Sequence, residues 1–449
     1  MRKRANLLAV IVLCSTIFPL TACDTDQLVE QLITQGVVAG LRQTWIEAPR
    51  ILDDGQIHVI LSGSGGPPIS KDRGHPCAAV VANGQFLIFD AGPGAVDKLF
   101  LQGYPIQYAE HVFLTHMHSD HMGGIANLIN ESYVVGGRRT IIHVYGPDDS
   151  KNLTHSLWPP TSREYRAGHE VLTPGGFPDT RRIDQLNSDD LEFGVPWSGG
   201  VYIPGVETMV NGINMAYVPD AIIRTSNKQV PANPDGFEQN MAVALPIADM
   251  STAGTGPNYG WGELQEVVSF PDNGSGHGDL VVKAFLVDHY PVFPSYGYRI
   301  EYAGKVVVIS GDTKSLIPYN DPPTPETSYW AAYAQDADIL VHEALNLRIG
   351  NIVADAILAD PELSQIPEAM QQVYQAQGAA DHHTDVLDVA RAAADANVAK
   401  LVLTHNVMPG MASPYMSIVK EYFTRGMDAF YTGEIVVAED GMDIMIPLP

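Results

Sequence analysis

Cysteine is scarce in this chain of 449 residues, which contains only three, Cys14, Cys23 and Cys77. Cys14 lies in an apolar N-terminal stretch and Cys23 follows a run of small residues, so Cys77 is the only thiol in the rest of the chain. A lone thiol cannot form an intramolecular disulfide, which excludes a disulfide-stapled scaffold. A chain of this length can instead bury a core that is large enough without crosslinks.

Basic residues are also few, because 26 Lys and Arg stand against 52 Asp and Glu, for a net charge of −26. Beyond Arg4 the sequence has no extended cluster of basic residues. A strongly acidic protein repels polyanions over long range. We therefore expect a small-molecule ester as substrate and no nucleic-acid partner.

Long apolar runs are missing too. The longest N-terminal run, Leu7 to Leu13, follows a basic start and precedes Leu20-Thr21-Ala22-Cys23. It is too short to span a membrane, and the pattern resembles a bacterial lipoprotein signal. We predict a signal peptide at 1–22, a tether at 23–50 and a lipid on Cys23 that anchors the exported protein to a membrane of the cell envelope, facing the periplasm. An ordinary cleaved signal is the alternative.

Short β-type runs separated by Gly and Pro predict a layered sheet structure in the remainder, 51–449. Five of these apolar runs are followed directly by a potential metal ligand or acid–base residue. These residues are His116, His289, Asp312, the pair His342-Glu343, and His405. Sites are commonly built from loops at strand ends on a rigid sheet, so we expect these groups to lie close together.

The densest of these segments is His116-x-His118-x-Asp120-His121. Imidazole and carboxylate together suit zinc and similar divalent ions. A short loop with this spacing can face two ions at once, and the pattern has a low chance frequency. The motif therefore predicts a metal centre.

Taken together, these segments resemble the metallo-β-lactamase-fold hydrolases, in the branch that holds tRNA 3′-processing nucleases and arylsulfatase-like enzymes. The resemblance rests on the loop at 116–121, on His289 followed by Gly297-Tyr298-Arg299, on Ser310-Gly311-Asp312-Thr313, on Leu403-Thr404-His405, and on the Gly-rich segment 61–73. It implies an α/β fold, a four-layer αββα sandwich. It also implies two divalent metal ions, Zn²⁺ before Mn²⁺ or Fe²⁺. The implied ligands are His116, His118 and His289 for one ion, Asp120, His121 and His405 for the other, and Asp312 between them.

Two further motifs match that branch, His342-Glu343-Ala344 and His382-His383-Thr384. The resemblance implies that a histidine of the second motif protonates the leaving group. The spacing of 22 residues to His405 favours His383 over His382. Glu343 would orient that histidine, or would instead only support a metal ligand, and Asp120 would orient the nucleophile.

The interval between His289 and Asp312 is short and predicts a single hairpin turning at Ala303-Gly304. This leaves no room for the protruding RNA-binding arm that tRNA-processing members often carry. We therefore expect a hydrolase of a small ester, an aryl sulfate for example, acting through a metal-bound hydroxide. A phosphodiesterase or lactonase is the alternative. A tRNA-type endonuclease and a non-catalytic metal-binding lipoprotein rank below these.

Two long segments, at about 150–275 and 346–380, are predicted to be insertions in the hydrolase domain. The first holds Trp158, Trp197 and Trp261 among several methionines and would cap an apolar substrate. The alternative is that it packs on itself or forms the face of a homodimer.

Overall fold

A computed structural model describes the chain over 22–67, 70–149, 205–226, 241–247, 264–289, 294–314, 329–379, 382–406 and 413–449, with residue 292 and four short strands between 171 and 202. By the density of contacts these residues divide into two compact units. Within the described residues, the first comprises 22–50 with 103–105, and the second comprises the remainder.

The N-terminal unit consists of helix α1 (Ala22–Arg42), followed by a π-helical turn (Gln43–Glu47) and a 3₁₀ turn that begins at Ala48. The predicted signal peptide lies outside the described residues, apart from Ala22, and the side chain of Cys23 is not described either. None of the helices that the structure describes has the length and apolar character needed to cross a membrane. Processing and lipidation at Cys23 stay predictions.

The second unit is built on two large sheets and their covering helices. In chain order the strands are β1 (Gln56–Gly63), β2 (Cys77–Ala82), β3 (Gln85–Phe89), β4 (His111–Phe113), β5 (Ile142–Gly146), β6 (Val171–Leu172), β7 (Pro178–Asp179), β8 (Val195–Trp197), β9 (Gly200–Tyr202), β10 (Ala242–Pro246), β11 (Gln265–Phe270), β12 (Leu280–Leu286), β13 (Tyr296–Tyr302), β14 (Lys305–Ile309), β15 (Ile339–Glu343), β16 (Lys400–Thr404), β17 (Glu434–Val437) and β18 (Met442–Pro447). The helices that follow α1 are α2 (Ala95–Leu101), α3 (Ser119–Met122), α4 (Ile125–Val134), α5 (Val206–Ser226), α6 (Tyr329–Tyr333), α7 (Leu347–Ala359), α8 (Pro367–Gly378), α9 (Val386–Asp395) and α10 (Ser413–Phe423).

Both sheets have seven strands and mix parallel with antiparallel pairs. The first runs in the order β10-β5-β4-β3-β2-β1-β18, and the second in the order β11-β12-β13-β14-β15-β16-β17. Strands β6 to β9 form two separate two-stranded ribbons. The predicted hairpin is confirmed, because β13 and β14 pair in antiparallel register around Ala303-Gly304. Both turn residues have positive φ, as a two-residue hairpin of this type requires.

The main core lies between the two sheets, where side chains of one sheet pack against those of the other. It includes Val59, Val80, Phe89 and Phe113 from the first sheet, and Val282, Tyr298 and Val341 from the second. A second apolar cluster covers the outer face of the second sheet and includes the apolar stripe of α9, Val386, Val389, Ala390 and Ala393. Strands such as β2 and β15 are therefore buried along their whole length, as expected for sheets covered on both faces. The architecture is the α/β sandwich that the sequence predicts.

Part of the segment predicted as the first insertion belongs to the sheets themselves. Strand β10 pairs in parallel with β5, and β11 pairs with β12, so each is an edge strand of a large sheet. Trp158 and Trp261 lie outside the described residues, and the side chain of Trp197 is not described. In the second segment, at 346–380, α7 and α8 pack against each other.

Candidate metal centre

The loop that follows β4 supplies the first group of candidate ligands. His116 is fully buried, whereas His118 is exposed to solvent at the N-terminal end of α3. Asp120 and His121 lie on α3 and are both buried. One turn of helix therefore points a carboxylate and an imidazole in the same direction as the two histidines before it.

The remaining ligands come from three strand ends of the second sheet. His289 follows β12, Asp312 follows β14, and His405 follows β16, and all three side chains are buried. At Gly311, which has a φ of 61°, the backbone passes close to that of Tyr296. A Cβ on Gly311 would lie 2.5 Å from the carbonyl oxygen of Tyr296. Only glycine fits this turn, so the turn fixes the direction of the neighbouring Asp312.

The structure brings all seven candidate ligands together in two adjoining groups. The ligand atoms of His116, His118, His289 and Asp312 lie within 4.8 Å of one another, and so do those of Asp120, His121 and His405. One oxygen of Asp312, Oδ2, lies between the groups. It is 3.2 Å from His405 Nε2, 3.3 Å from His121 Nε2, 3.8 Å from His289 Nε2 and 3.9 Å from His116 Nε2. This is the position that a bridging carboxylate occupies between two ions.

Several of the candidate metal-ligating atoms that face one another in this centre have no hydrogen-bond partner among the described residues. Among the described residues the unpartnered buried atoms include His116 Nε2, Asp120 Oδ2, His121 Nε2 and His405 Nε2. An unsatisfied buried polar atom costs about 1–3 kcal/mol, so four at one point need a common partner. Divalent cations satisfy all of them at once. Five imidazoles and two carboxylates fit two divalent ions, with Zn²⁺ favoured by the nitrogen-rich set.

The protonation states of His116, His289 and Asp312 suit cation binding. Burial lowers the pKa of His116 and His289 well below the ordinary value, so both imidazoles are neutral, the form that coordinates metals. Burial alone would raise the pKa of Asp312, but His405 and His121 outweigh it and hold that pKa well below the usual range. The bridging position therefore carries a negative charge.

Sequence reasoning missed Asp90, which supports the centre from behind. Its Oδ2 lies 2.8 Å from Nδ1 of His121, and its Oδ1 accepts a hydrogen bond of 2.8 Å from the backbone N–H of Thr115. The carboxylate thus holds the Nδ1 proton of His121 and leaves Nε2 free to face the centre. The available signal was its place directly after β3, the pattern shared by the predicted ligands. The carbonyl oxygen of His382 plays the same part for Nδ1 of His289, at 3.0 Å.

The predicted acid–base pair is also at the centre. His383 Nδ1 lies 3.3 Å from Glu343 Oε1 and 3.9 Å from Asp312 Oδ2. Burial lowers the pKa of His383, but Glu343 and Asp312 outweigh burial and raise it to about 9. Glu343 is itself fixed by the backbone N–H groups of Thr313 and Thr384. In the metal-free protein these two carboxylates therefore favour the protonated form of His383.

The structure separates the two adjacent histidines of that motif. The ring of His383 stacks against His405 at 5.2 Å between centroids and joins Asp312 and His405 in a third close group. The ring of His382 lies 6.1 Å from His289 and outside these groups, and its contribution is its carbonyl oxygen. The geometry thus favours His383 as the proton donor.

This fold and centre resemble those of the metallo-β-lactamase superfamily of metal-dependent hydrolases. Residues 71–210, which include the loop at 116–121, match the model of that superfamily.

Several proteins of known name are similar to this chain over most of its length. The chain is 27% identical to ribonuclease Z of Myxococcus xanthus over 82% of its own length and 91% of that protein. It is 26% identical to ribonuclease Z of Haloferax volcanii over 86% of its length and 93% of that protein. A third ribonuclease Z, from Methanosarcina mazei, is 24% identical over 87% of this chain and 98% of its own.

These relatives correct two expectations from the sequence. The prediction of a small-ester hydrolase, with an aryl sulfate as the example, is wrong, because relatives matched over nearly their whole length are ribonucleases. The prediction that no nucleic acid binds is wrong for the same reason. Net charge is an average over the whole chain, whereas a phosphodiester meets only the local surface and two cations. The short interval between His289 and Asp312, which leaves no room for an RNA-binding arm, likewise does not determine which kind of bond is cleaved.

Proposed function

We propose that this protein is a metal-dependent endonuclease of the ribonuclease Z type, which hydrolyses a phosphodiester bond in precursor tRNA. The observation that carries the proposal is the similarity to ribonuclease Z over 82% of this chain and 91% of the relative.

The arrangement of the candidate site supports phosphodiester hydrolysis. When bound, two divalent cations would acidify water and neutralise the charge that develops on the phosphate. Asp120 Oδ2 lies 3.4 Å from His405 Nε2 and 3.6 Å from His121 Nε2, and it has no hydrogen-bond partner. This carboxylate would accept a hydrogen bond from the attacking water and so orient it toward phosphorus.

His383 would protonate the leaving group. As the new bond from water oxygen to phosphorus forms, the bond from phosphorus to the ribose oxygen breaks, and that oxygen needs a proton. Glu343 and Asp312 favour a protonated His383, because they raise its pKa to about 9 in the metal-free protein. Glu343 also keeps the ring in place through the contact of 3.3 Å.

The test is cleavage of a precursor tRNA by the purified, zinc-loaded protein. We expect endonucleolytic cleavage at the 3′ side of the acceptor stem, and its loss in Asp120→Ala. Glu434→Gln is the matched control. This exposed carboxylate, at the start of β17, pairs with Lys400 and is not one of the residues of the centre. If the zinc-loaded wild-type protein leaves precursor tRNA intact, the proposal is refuted.

We further propose that the N-terminus is processed before Cys23 and that the mature protein is lipid-anchored. The sequence Leu20-Thr21-Ala22-Cys23 after a basic and apolar start supports this. Labelling with radioactive palmitate should mark the wild-type protein and not Cys23→Ser, and equal labelling of both would refute the anchor.

A further inference from the structure

Two arginines share one tyrosine ring on an otherwise acidic protein. Arg348 lies in the first turn of α7, Tyr422 in the last turn of α10, and Arg425 just beyond it. The guanidinium carbons lie 5.4 Å and 5.9 Å from the centroid of the Tyr422 ring. We name these three residues the arginine–tyrosine cluster.

The cluster is held in place by its neighbours. Nη2 of Arg348 donates a hydrogen bond to the carbonyl oxygen of Arg425, and Nδ2 of Asn346 donates to that of Phe423, at 2.8 Å. The end of α10 is thus tied to the start of α7. Because the tyrosine ring and a carbonyl orient the guanidinium groups, little side-chain entropy is lost when they bind a ligand.

The two charges are not neutralised within the protein. Over the described ranges neither Arg348 nor Arg425 forms an ion pair, whereas Arg391 pairs with Asp388 and Arg299 with Glu301. Arg425 is exposed and Arg348 is partly exposed, so both can reach a ligand. Guanidinium groups match phosphate oxygens in bidentate hydrogen bonds, which makes a phosphate the fitting partner.

The cluster is connected to the centre by a short series of contacts. The backbone N–H of Leu345 donates to the carbonyl oxygen of Thr384, and that of Leu347 donates to Asp385. Arg348 follows Leu347 directly, and His383 lies two residues before Asp385. Three Cα–Cα steps of about 3.8 Å, one hydrogen bond and the Asp385 side chain that accepts it therefore connect Arg348 to the proposed proton donor.

We propose that the arginine–tyrosine cluster binds phosphate groups of the RNA strand beside the bond that is cleaved. This rests on the proposed function and extends it, because it assigns a backbone-binding surface outside the metal centre. The cluster supplies the local positive charge that the net charge of −26 hides. It contacts the sugar–phosphate backbone and so adds affinity without base preference.

The alternative is a purely structural role, since a cation at the C-terminal end of α10 also stabilises that helix. The double variant Arg348→Gln/Arg425→Gln separates the two roles. Arg391→Gln is the matched control, because it removes one guanidinium that an aromatic ring, Phe430, also contacts at 4.2 Å but that is already paired with Asp388. Thermal unfolding of all three proteins measures any structural effect directly.

The experiment uses zinc-loaded protein and a labelled hairpin RNA with a single-stranded 3′ tail. Fluorescence anisotropy as a function of salt gives the affinity, and hydrolysis of bis(4-nitrophenyl) phosphate reports on the metal centre alone. We expect the double variant to bind RNA about tenfold more weakly and to lose about 1.4 from the slope of log K against log salt, about 0.7 for each phosphate. Hydrolysis of the small diester should not change.

Equal RNA affinity and salt slope in the double variant and the wild type would overturn the proposal. So would a loss of the same size in Arg391→Gln, or a parallel loss of small-diester hydrolysis and thermal stability. The outcome is separable from the proposed function. A wild-type protein that binds the hairpin through these arginines without cleaving precursor tRNA would refute the nuclease and leave the cluster standing.

Discussion

Asp90→Asn offers a sharp test of how the metal centre is supported. Asp90 has a φ of 57°, and asparagine tolerates this left-handed conformation, so the backbone should be unchanged. The amide oxygen can still accept from the backbone N–H of Thr115. The amide nitrogen, however, would face Nδ1 of His121 at the present 2.8 Å, and two donors would oppose each other.

The effect on metal binding can be estimated from this geometry. Removing a hydrogen-bond acceptor behind a metal-binding imidazole lowers metal affinity by about 10–100-fold. That corresponds to about 1.4–2.7 kcal/mol at the second group of ligands, which includes His121. The metal-free protein should lose about 1–3 kcal/mol of unfolding free energy, because a buried donor is left unsatisfied.

The assay is competition between the protein and a zinc chelator of known affinity, followed by denaturant unfolding with the chelator in excess. Asp338→Asn is the matched control. Asp338 also accepts a hydrogen bond from the backbone N–H of Val306, at 2.8 Å, and forms an ion pair with Lys305, at 2.9 Å. It lies before β15 and is not one of the residues of the centre. Zinc affinity that is unchanged in Asp90→Asn, or lowered equally in Asp338→Asn, would show that Asp90 does not position His121.

Three further predictions follow from the same contacts. His383→Gln should lower kcat by about 10²–10⁴-fold while the protein keeps its metal content, because the proton donor is lost and the ligands are not; a parallel loss of zinc would show that His383 is a ligand instead. Burial lowers the pKa of His58, but Asp443 and Asp54 outweigh it and raise the pKa above 6.5. The stability that this contact adds is therefore complete below about pH 6.5 and is lost as the pH rises through the raised pKa. The unfolding free energies of wild type and His58→Gln should converge as the pH rises above that pKa, and a gap that widens with pH would contradict the assignment. Phe113→Ala should destabilise the protein by about 3–5 kcal/mol in denaturant unfolding, since the ring stacks on Phe89 at 5.0 Å and Tyr145 at 4.7 Å in the main core; a loss below about 1 kcal/mol would mean that the core is not packed as described.

Local patterns predicted much of the site. The spacing in His116-x-His118-x-Asp120-His121 is set by one loop and a turn of helix, so its geometry is encoded locally. His289, Asp312 and His405 were found because each follows a buried strand, and strand ends of one sheet edge meet in space. Asp90 follows β3 in the same way, but its partner His121 lies 31 residues away, and only the fold shows the contact.

Local sequence patterns could not predict the substrate class, and the reason is physical. A total charge of −26 does not show where the positive groups lie, and Arg348 and Arg425 come together only when α7 meets the end of α10. In the segment at 150–275, β10 and β11 complete the sheets through pairings with β5 and β12 that no local pattern reveals.

The metal content of the purified protein tests the central claim most directly. Elemental analysis after reconstitution with zinc should give two ions per chain for the wild-type protein, because two groups of ligands meet at Asp312. Asp312→Ala removes the carboxylate that both groups share and should not retain both ions. One ion or none in the wild type, or two ions in Asp312→Ala, would contradict a centre in which Asp312 joins two cations.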